Sequence, residues 1–231
     1  MIPLRDNNPV RRFPVITIAL IAANVAVFLY LFRYMLVPES ARLIFSLYGL
    51  TPRELTTGVP LVPHPFPVQV TLFTSMFVHG GFFHVAGNML YLWIFGNNVE
   101  DAMGRARFVL FYLLSGLGAA FSQVLAGPNS TIPMVGASGA VSGVLGAYLL
   151  LYPHARVLTL IILGWFWRVV EIPALVVLGF WIVVQVVNGL WTFSFQGGGV
   201  AWFAHIGGFA AGMLLLPFFK QRTVPVRLFR R

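Results

Sequence analysis

The strongest constraint on this sequence is the series of long apolar stretches that fills it from residue 15 to residue 219. Roughly 20 apolar residues in a helix cross a bilayer. Six segments approach that length: residues 15–32, 82–99, 108–125, 135–152, 172–191 and 200–219. With 58% hydrophobic and only 9% charged residues, the chain lacks the composition of a soluble globular domain. The expectation is an all-α membrane protein, a bundle of six transmembrane helices over 15–219 between basic tails at 1–14 and 220–231. The apolar stretch 157–167 is too short to cross and is expected to be interfacial or re-entrant. The long connection 33–79, with Pro60, Pro63, Pro65 and Pro67, is too long for a plain loop and implies a folded or interface-lying element.

The net charge of +9 does not form one basic patch, so nucleic acid is not an expected partner. The basic residues sit near span ends, as the positive-inside rule requires. Placing the N-terminus in the cytoplasm puts twelve of the fifteen Lys and Arg residues inside and only Arg33, Arg42 and Arg53 outside. Both termini are then cytoplasmic. The apolar stretch after Arg5, Arg11 and Arg12 has no small-residue exit and reads as a retained first span.

Two stretches are rich in small residues, Val135 to Ala147 and Ala204 to Gly212. Gly136, Gly139, Gly143, Gly208 and Gly212 are expected to let helix backbones approach closely, since packing drives association in lipid. Each stretch carries a chemistry-capable side chain: Ser138 in the first, His205 in the second. In the expected topology each lies about five or six residues past the outer loop that precedes it, 127–133 or 192–200, roughly 8–9 Å deep at 1.5 Å per residue. His84 and Asn88 lie at a similar depth in the second span, on one helix face by their i,i+4 spacing. A serine, two histidines and an amide at one level read as an acyl-transfer site. Ser138 is the nucleophile, His205 the general base and acid, and the Ser138 backbone N–H, Asn88 and His84 are the oxyanion donors. Glu100, Asp101 and Glu171 fall near the other membrane face, so a dyad is expected rather than a triad.

Other chemistries fit less well. The chain has no cysteine and no His-Glu-x-x-His sequence, so neither a thiolate nor a zinc protease is expected, and no metal or cofactor is called for. Residues 136–140 nearly match a hydrolase nucleophile elbow, but that turn needs a preceding strand. Packing alone would explain a lone serine among glycines. A channel or transporter would place polar groups along a full crossing, and here they cluster in one half.

These residues carry a resemblance. From Tyr48-Gly49-Leu50-Thr51-Pro52, through Phe77-Val78-His79-Gly80-Gly81 and His84-x-x-x-Asn88, then Val99-Glu100-Asp101, the Ser138 motif and Ala204-His205-x-x-Gly208-x-x-x-Gly212, the chain resembles the rhomboid family of intramembrane serine proteases. The resemblance implies a six-helix core, a Ser138–His205 dyad and an oxyanion site at His84 and Asn88. It also implies a partly embedded 33–79 connection and an outer 192–200 loop over the active site. Its substrates would be transmembrane segments of other proteins, cut near the outer face, with membrane lipid the surrounding partner. A non-catalytic relative that binds membrane proteins is the alternative. Six bare spans look like a prokaryotic plasma-membrane form. Two features depart from the family pattern. Ser142 stands where many members carry an aromatic ring against the histidine, so either the base is oriented differently or another ring such as Trp202 or Phe203 substitutes. The first outer connection also lacks a Trp-Arg pair.

Overall fold

The computed structural model describes residues 1–195, 200–221 and 224. In chain order it contains β1 (Ile2–Asp6), α1 (Val15–Met35), α2 (Pro38–Tyr48), α3 (Pro52–Thr57) and α4 (Thr71–Thr74). Then come α5 (Phe82–Tyr91), a π-helical turn (Leu92–Gly96), α6 (Asn97–Met103), α7 (Arg105–Ala126) and α8 (Ser138–Leu151). The chain continues through β2 (Arg156–Leu163), β3 (Phe166–Pro173), α9 (Ala174–Phe195) and α10 (Trp202–Phe219). Four helices, α1, α7, α9 and α10, are long and apolar enough to cross a membrane.

Helix α8 is the centre of the bundle. Every residue from Gly139 to Leu151 is buried, as expected of a helix that is apolar all round. Its 14 residues span about 21 Å, less than a hydrocarbon core of ~30 Å. The irregular chain before it therefore has to be enclosed by protein or by a wet cavity. Small residues set how closely its neighbours approach. A Cβ on Gly208 or Gly212 of α10 would meet the backbone of Gly139 or Gly143 in α8, and one on Gly139 would lie 2.6 Å from Ala119 Cβ of α7. Helices α7, α8 and α10 thus pack almost backbone to backbone, and this fixes what faces Ser138. Gly136, expected to share this role, lies ahead of α8 and serves a different one, described below.

Helix α5, the π-helical turn and α6 form a continuous run over residues 82–103. A Cβ on Gly96 would sit 3.3 Å from Thr17 Cγ2, so this run lies close against α1. Glu100 caps the start of α1, accepting hydrogen bonds from the Ile16 and Thr17 amides (3.0 and 2.8 Å) and the Thr17 hydroxyl (2.8 Å). The adjacent Asp101 accepts one from the Arg11 amide at 3.2 Å.

The fold is not all α. Residues 157–167, expected as an interfacial or re-entrant segment, belong to a β-hairpin. Its strands β2 and β3 pair from Arg156↔Pro173 to Leu163↔Phe166, and β1 pairs antiparallel with β2 to complete a three-stranded sheet. The cause is local. Val157, Thr159, Ile161, Val169, Val170 and Ile172 favour strands, and the two-residue turn contains Gly164 at φ +59°. The N-terminal segment is likewise more than a basic tail. Asn7 exchanges hydrogen bonds with Arg156 (2.9 and 2.8 Å), and Asp6 accepts one from the Tyr148 hydroxyl of α8 at 2.6 Å. Burial raises the Asp6 carboxyl above the usual carboxylate range, although the Tyr148 bond pulls the other way.

The 33–79 connection is folded, through α2, α3 and α4. Its core holds Glu54 and His64, both side chains almost fully buried. Glu54 Oε1 accepts the Leu61 amide at 2.6 Å and faces His64 Nε2 at 3.3 Å, while His64 Nδ1 meets the Leu47 carbonyl at 3.1 Å. A carbonyl only accepts, so Nδ1 carries a proton, and a second proton must lie between Nε2 and the carboxylate. The two residues are ten apart in sequence and meet only once α3 and the proline-rich chain have folded.

Candidate active site

Ser138 is the first residue of α8, not one turn inside it. The loop that delivers it is pinned on several sides. Leu50 and Met134 form an antiparallel bridge, and the Gly136 amide donates to the Ser75 carbonyl at 2.8 Å. The Ala137 amide donates to His79 Nε2 at 3.3 Å, and His79 Nδ1 donates to the Phe77 carbonyl at 3.2 Å. His79 is therefore a buried strut under the loop. A helix start leaves its first backbone N–H groups without intrahelical acceptors, and here Ser138 sits among them.

Gly136 adopts φ +121°, and a Cβ on it would lie 2.7 Å from His84 Nε2 and 3.7 Å from Asn88 Nδ2. The position needs glycine for its backbone conformation and for the space that His84 occupies. Both expected oxyanion side chains therefore stand beside the residue two before Ser138. His84 Nδ1 accepts the Gly80 amide at 3.3 Å, which leaves Nε2–H as its donor. Asn88 is buried, and its amide Nδ2 has no partner among the described residues. A buried donor without an acceptor is costly, and an oxygen entering the cavity, from water or a ligand, would satisfy it.

From α10, His205 places Nε2 2.8 Å from Ser138 Oγ. On its other side Nδ1 lies 2.8 Å from Oε1 of Gln185 in α9. The Trp181 ring lies 5.9 Å from the imidazole at a 39° tilt, and the Trp202 ring meets it edge-on at 6.2 Å. Trp202 thus partly fills the expected role of the missing aromatic. Trp181 and Gln185 were not anticipated: Gln185 shares its otherwise apolar span with a second amide, Asn188, so nothing in the sequence set it apart. Ser142 cannot replace the ring, because its hydroxyl turns back to the Ser138 carbonyl at 2.6 Å.

Ser138, His205, His84, Asn88, Trp181 and Gln185 line one cavity of about 1110 Å³. Among the described residues no cluster of three His, Cys, Asp or Glu side chains is arranged to hold a metal ion. The 192–200 loop, expected to cover the site, lies mostly outside the described residues.

The fold and the cavity describe a helical integral membrane protein with a serine–histidine pair enclosed at the start of a central helix. The Rhomboid domain family model matches residues 68–222, more than half of the chain, and the protein belongs to the rhomboid family. It is 30% identical over 241 residues to RHOMBOID-like protein 1 of Arabidopsis thaliana, covering 92% of this chain and 57% of that protein. Over 94 residues it is 38% identical to Rhomboid protein 1, mitochondrial, of Saccharomyces cerevisiae, covering 39% of this chain and 27% of the relative. Over 78 residues it is 41% identical to Rhomboid protease GluP of Bacillus subtilis, covering 34% and 15%. The chain thus spans little more than half the length of the first of these relatives and less of the others.

Proposed function

We propose that this protein is an intramembrane serine endopeptidase that cuts transmembrane segments of other proteins near the outer membrane face. The observation that carries the reading is the 2.8 Å contact between Ser138 Oγ and His205 Nε2 at the edge of a cavity holding unused donors. As Oγ attacks the scissile carbonyl, His205 takes its proton at Nε2. The carbonyl oxygen becomes an oxyanion and accepts from the Ser138 backbone N–H, Asn88 Nδ2 and His84 Nε2–H. His205 then protonates the leaving amine. A water, deprotonated by the same nitrogen, attacks the acyl-serine and releases the second fragment.

In this reading six segments cross the membrane: α1, the 82–103 run, α7, α8, α9 and α10. The distribution of basic residues places both termini in the cytoplasm. The dyad then lies toward the outer face, where water can enter the cavity. A peptide bond inside a helix is shielded, so a substrate has to unwind locally. Segments with small residues at the cut and Gly, Pro or polar residues beyond it are the preferred substrates.

The test is cleavage of a fluorescent single-span reporter by purified protein in detergent, comparing wild type with Ser138→Ala and His205→Ala. Cleavage by wild type alone supports the assignment. Cleavage that survives Ser138→Ala rejects it, and folded wild type that cuts no member of a reporter panel favours a binding role.

A further inference from the structure

A neutral imidazole works as a base at Nε2 only when its proton resides on Nδ1, and α9 supplies the group that can hold it there. Gln185 is 6% exposed, within a helix apolar enough to cross the membrane. Its Nε2 donates to the carbonyl of Trp181, one turn earlier, at 3.3 Å. That bond fixes which end of the amide faces His205. It is the oxygen, 2.8 Å from Nδ1. An amide oxygen only accepts, so Nδ1 carries the hydrogen and Nε2 presents a lone pair to Ser138 Oγ. A buried amide is costly unless its groups are bonded, and here Trp181 and His205 satisfy both ends. Ser142, the α8 residue one turn beyond Ser138, is occupied with the backbone and offers the ring nothing.

We infer that Gln185 is a positioning residue: it fixes the tautomer and ring orientation of His205, and its Oε1 dipole faces the imidazolium that forms when Ser138 loses its proton. The inference rests on the Ser138–His205 roles proposed above. It gives the pair a third member, a hydrogen-bond acceptor at Nδ1.

The experiment compares wild type, Gln185→Leu and Gln185→Glu. Leucine suits an apolar span and removes the acceptor, whereas glutamate retains an acceptor of similar reach. Reporter cleavage gives kcat and KM, and nitrogen NMR of ¹⁵N-histidine-labelled protein, assigned with His205→Ala, reads the tautomer. Wild type should show a protonated Nδ1 and a bare Nε2. In Gln185→Leu the two tautomers should mix, and kcat should fall about tenfold or more with KM within about twofold. Gln185→Glu should restore kcat to within about threefold of wild type. A wild-type Nε2–H tautomer, or Gln185→Leu with unchanged kcat and tautomer, overturns the inference. If wild type cuts no reporter yet holds the Nδ1–H tautomer and loses it in Gln185→Leu, the protease reading fails and the positioning role stands.

Discussion

Gly208 of α10 lies directly against the carbonyl oxygen of Gly139 in α8, with no room for a methyl group between them. The contact occurs one residue after Ser138 and three after His205, so the helix crossing itself sets the separation of these two side chains. Gly208→Ala would force α10 away from backbone atoms that cannot rotate aside. The expected cost is about 1–3 kcal/mol of stability. Reporter cleavage should fall further than stability does, because a shift of about 1 Å breaks the Ser138–His205 hydrogen bond. Thermal unfolding in detergent, run beside the cleavage assay, separates the two effects.

Gly136 and His84 are coupled in a similar way. Gly136→Ala places a Cβ where His84 Nε2 stands and strains a backbone at φ +121°, a conformation costing on the order of 1–3 kcal/mol for other residues. The expected result is a loss of kcat of about tenfold or more. Because the main route of damage is displacement of His84, Gly136→Ala combined with His84→Ala should cost less than the two single losses multiplied together. A double-mutant cycle on kcat/KM measures this, and simple multiplication would show that His84 is not what the methyl displaces.

Asn88 tests the oxyanion assignment. Among the described residues its Nδ2 has no partner, so on that assignment Asn88→Ala removes a donor used only when charge develops on the substrate. A loss of about 100-fold in kcat with little change in KM is expected. Removing an unsatisfied buried donor should leave the melting temperature level or raise it. A lowered melting temperature with proportionate loss of activity would instead make Asn88 a packing residue.

The parts of this protein that could be read from its sequence are those with a spacing or a composition. Ser138 and His205 stand out as polar groups in stretches of small residues, and His84 and Asn88 share a face at i,i+4. The long apolar helices α1, α7, α9 and α10 follow from apolar length alone. Gln185 and Trp181 carry no such mark, because their role depends on how far α9 turns toward α10. The hairpin at β2 and β3 was hidden by its hydrophobicity: in a chain this apolar, a short run is easily taken for a membrane segment, although its β-branched residues and Gly164 pointed to a turn between strands. Glu54 and His64 meet through irregular chain, where no periodicity exists to read.

Glu54 and His64 should matter for stability rather than for chemistry, since they lie in the 33–79 connection and do not line the dyad's cavity. His64→Ala leaves a buried carboxylate with one fewer donor, and Glu54→Ala leaves a buried imidazole without its acceptor. Either change is expected to cost about 3 kcal/mol or more. The double replacement by apolar residues of similar size should recover much of that loss. Unfolding of the two single variants and the double variant in detergent tests the pairing, and simple addition of the single effects would deny it.

Asp6 gives the fold a pH dependence of definite sign. Burial raises its carboxyl above the ordinary value of 3.8, so the folded state binds this proton more tightly than the unfolded chain does. The resulting stabilisation is complete below the ordinary carboxylate pKa and is lost as pH rises through the raised value. Asp6→Asn removes the titration while retaining an oxygen that can accept from the Tyr148 hydroxyl. The melting temperature of Asp6→Asn relative to wild type should therefore be higher at pH 7 than at pH 4. Melting curves of both proteins at the two pH values decide it. A difference that shrinks as pH rises would mean that the hydrogen bond from Tyr148, rather than burial, dominates the Asp6 carboxylate.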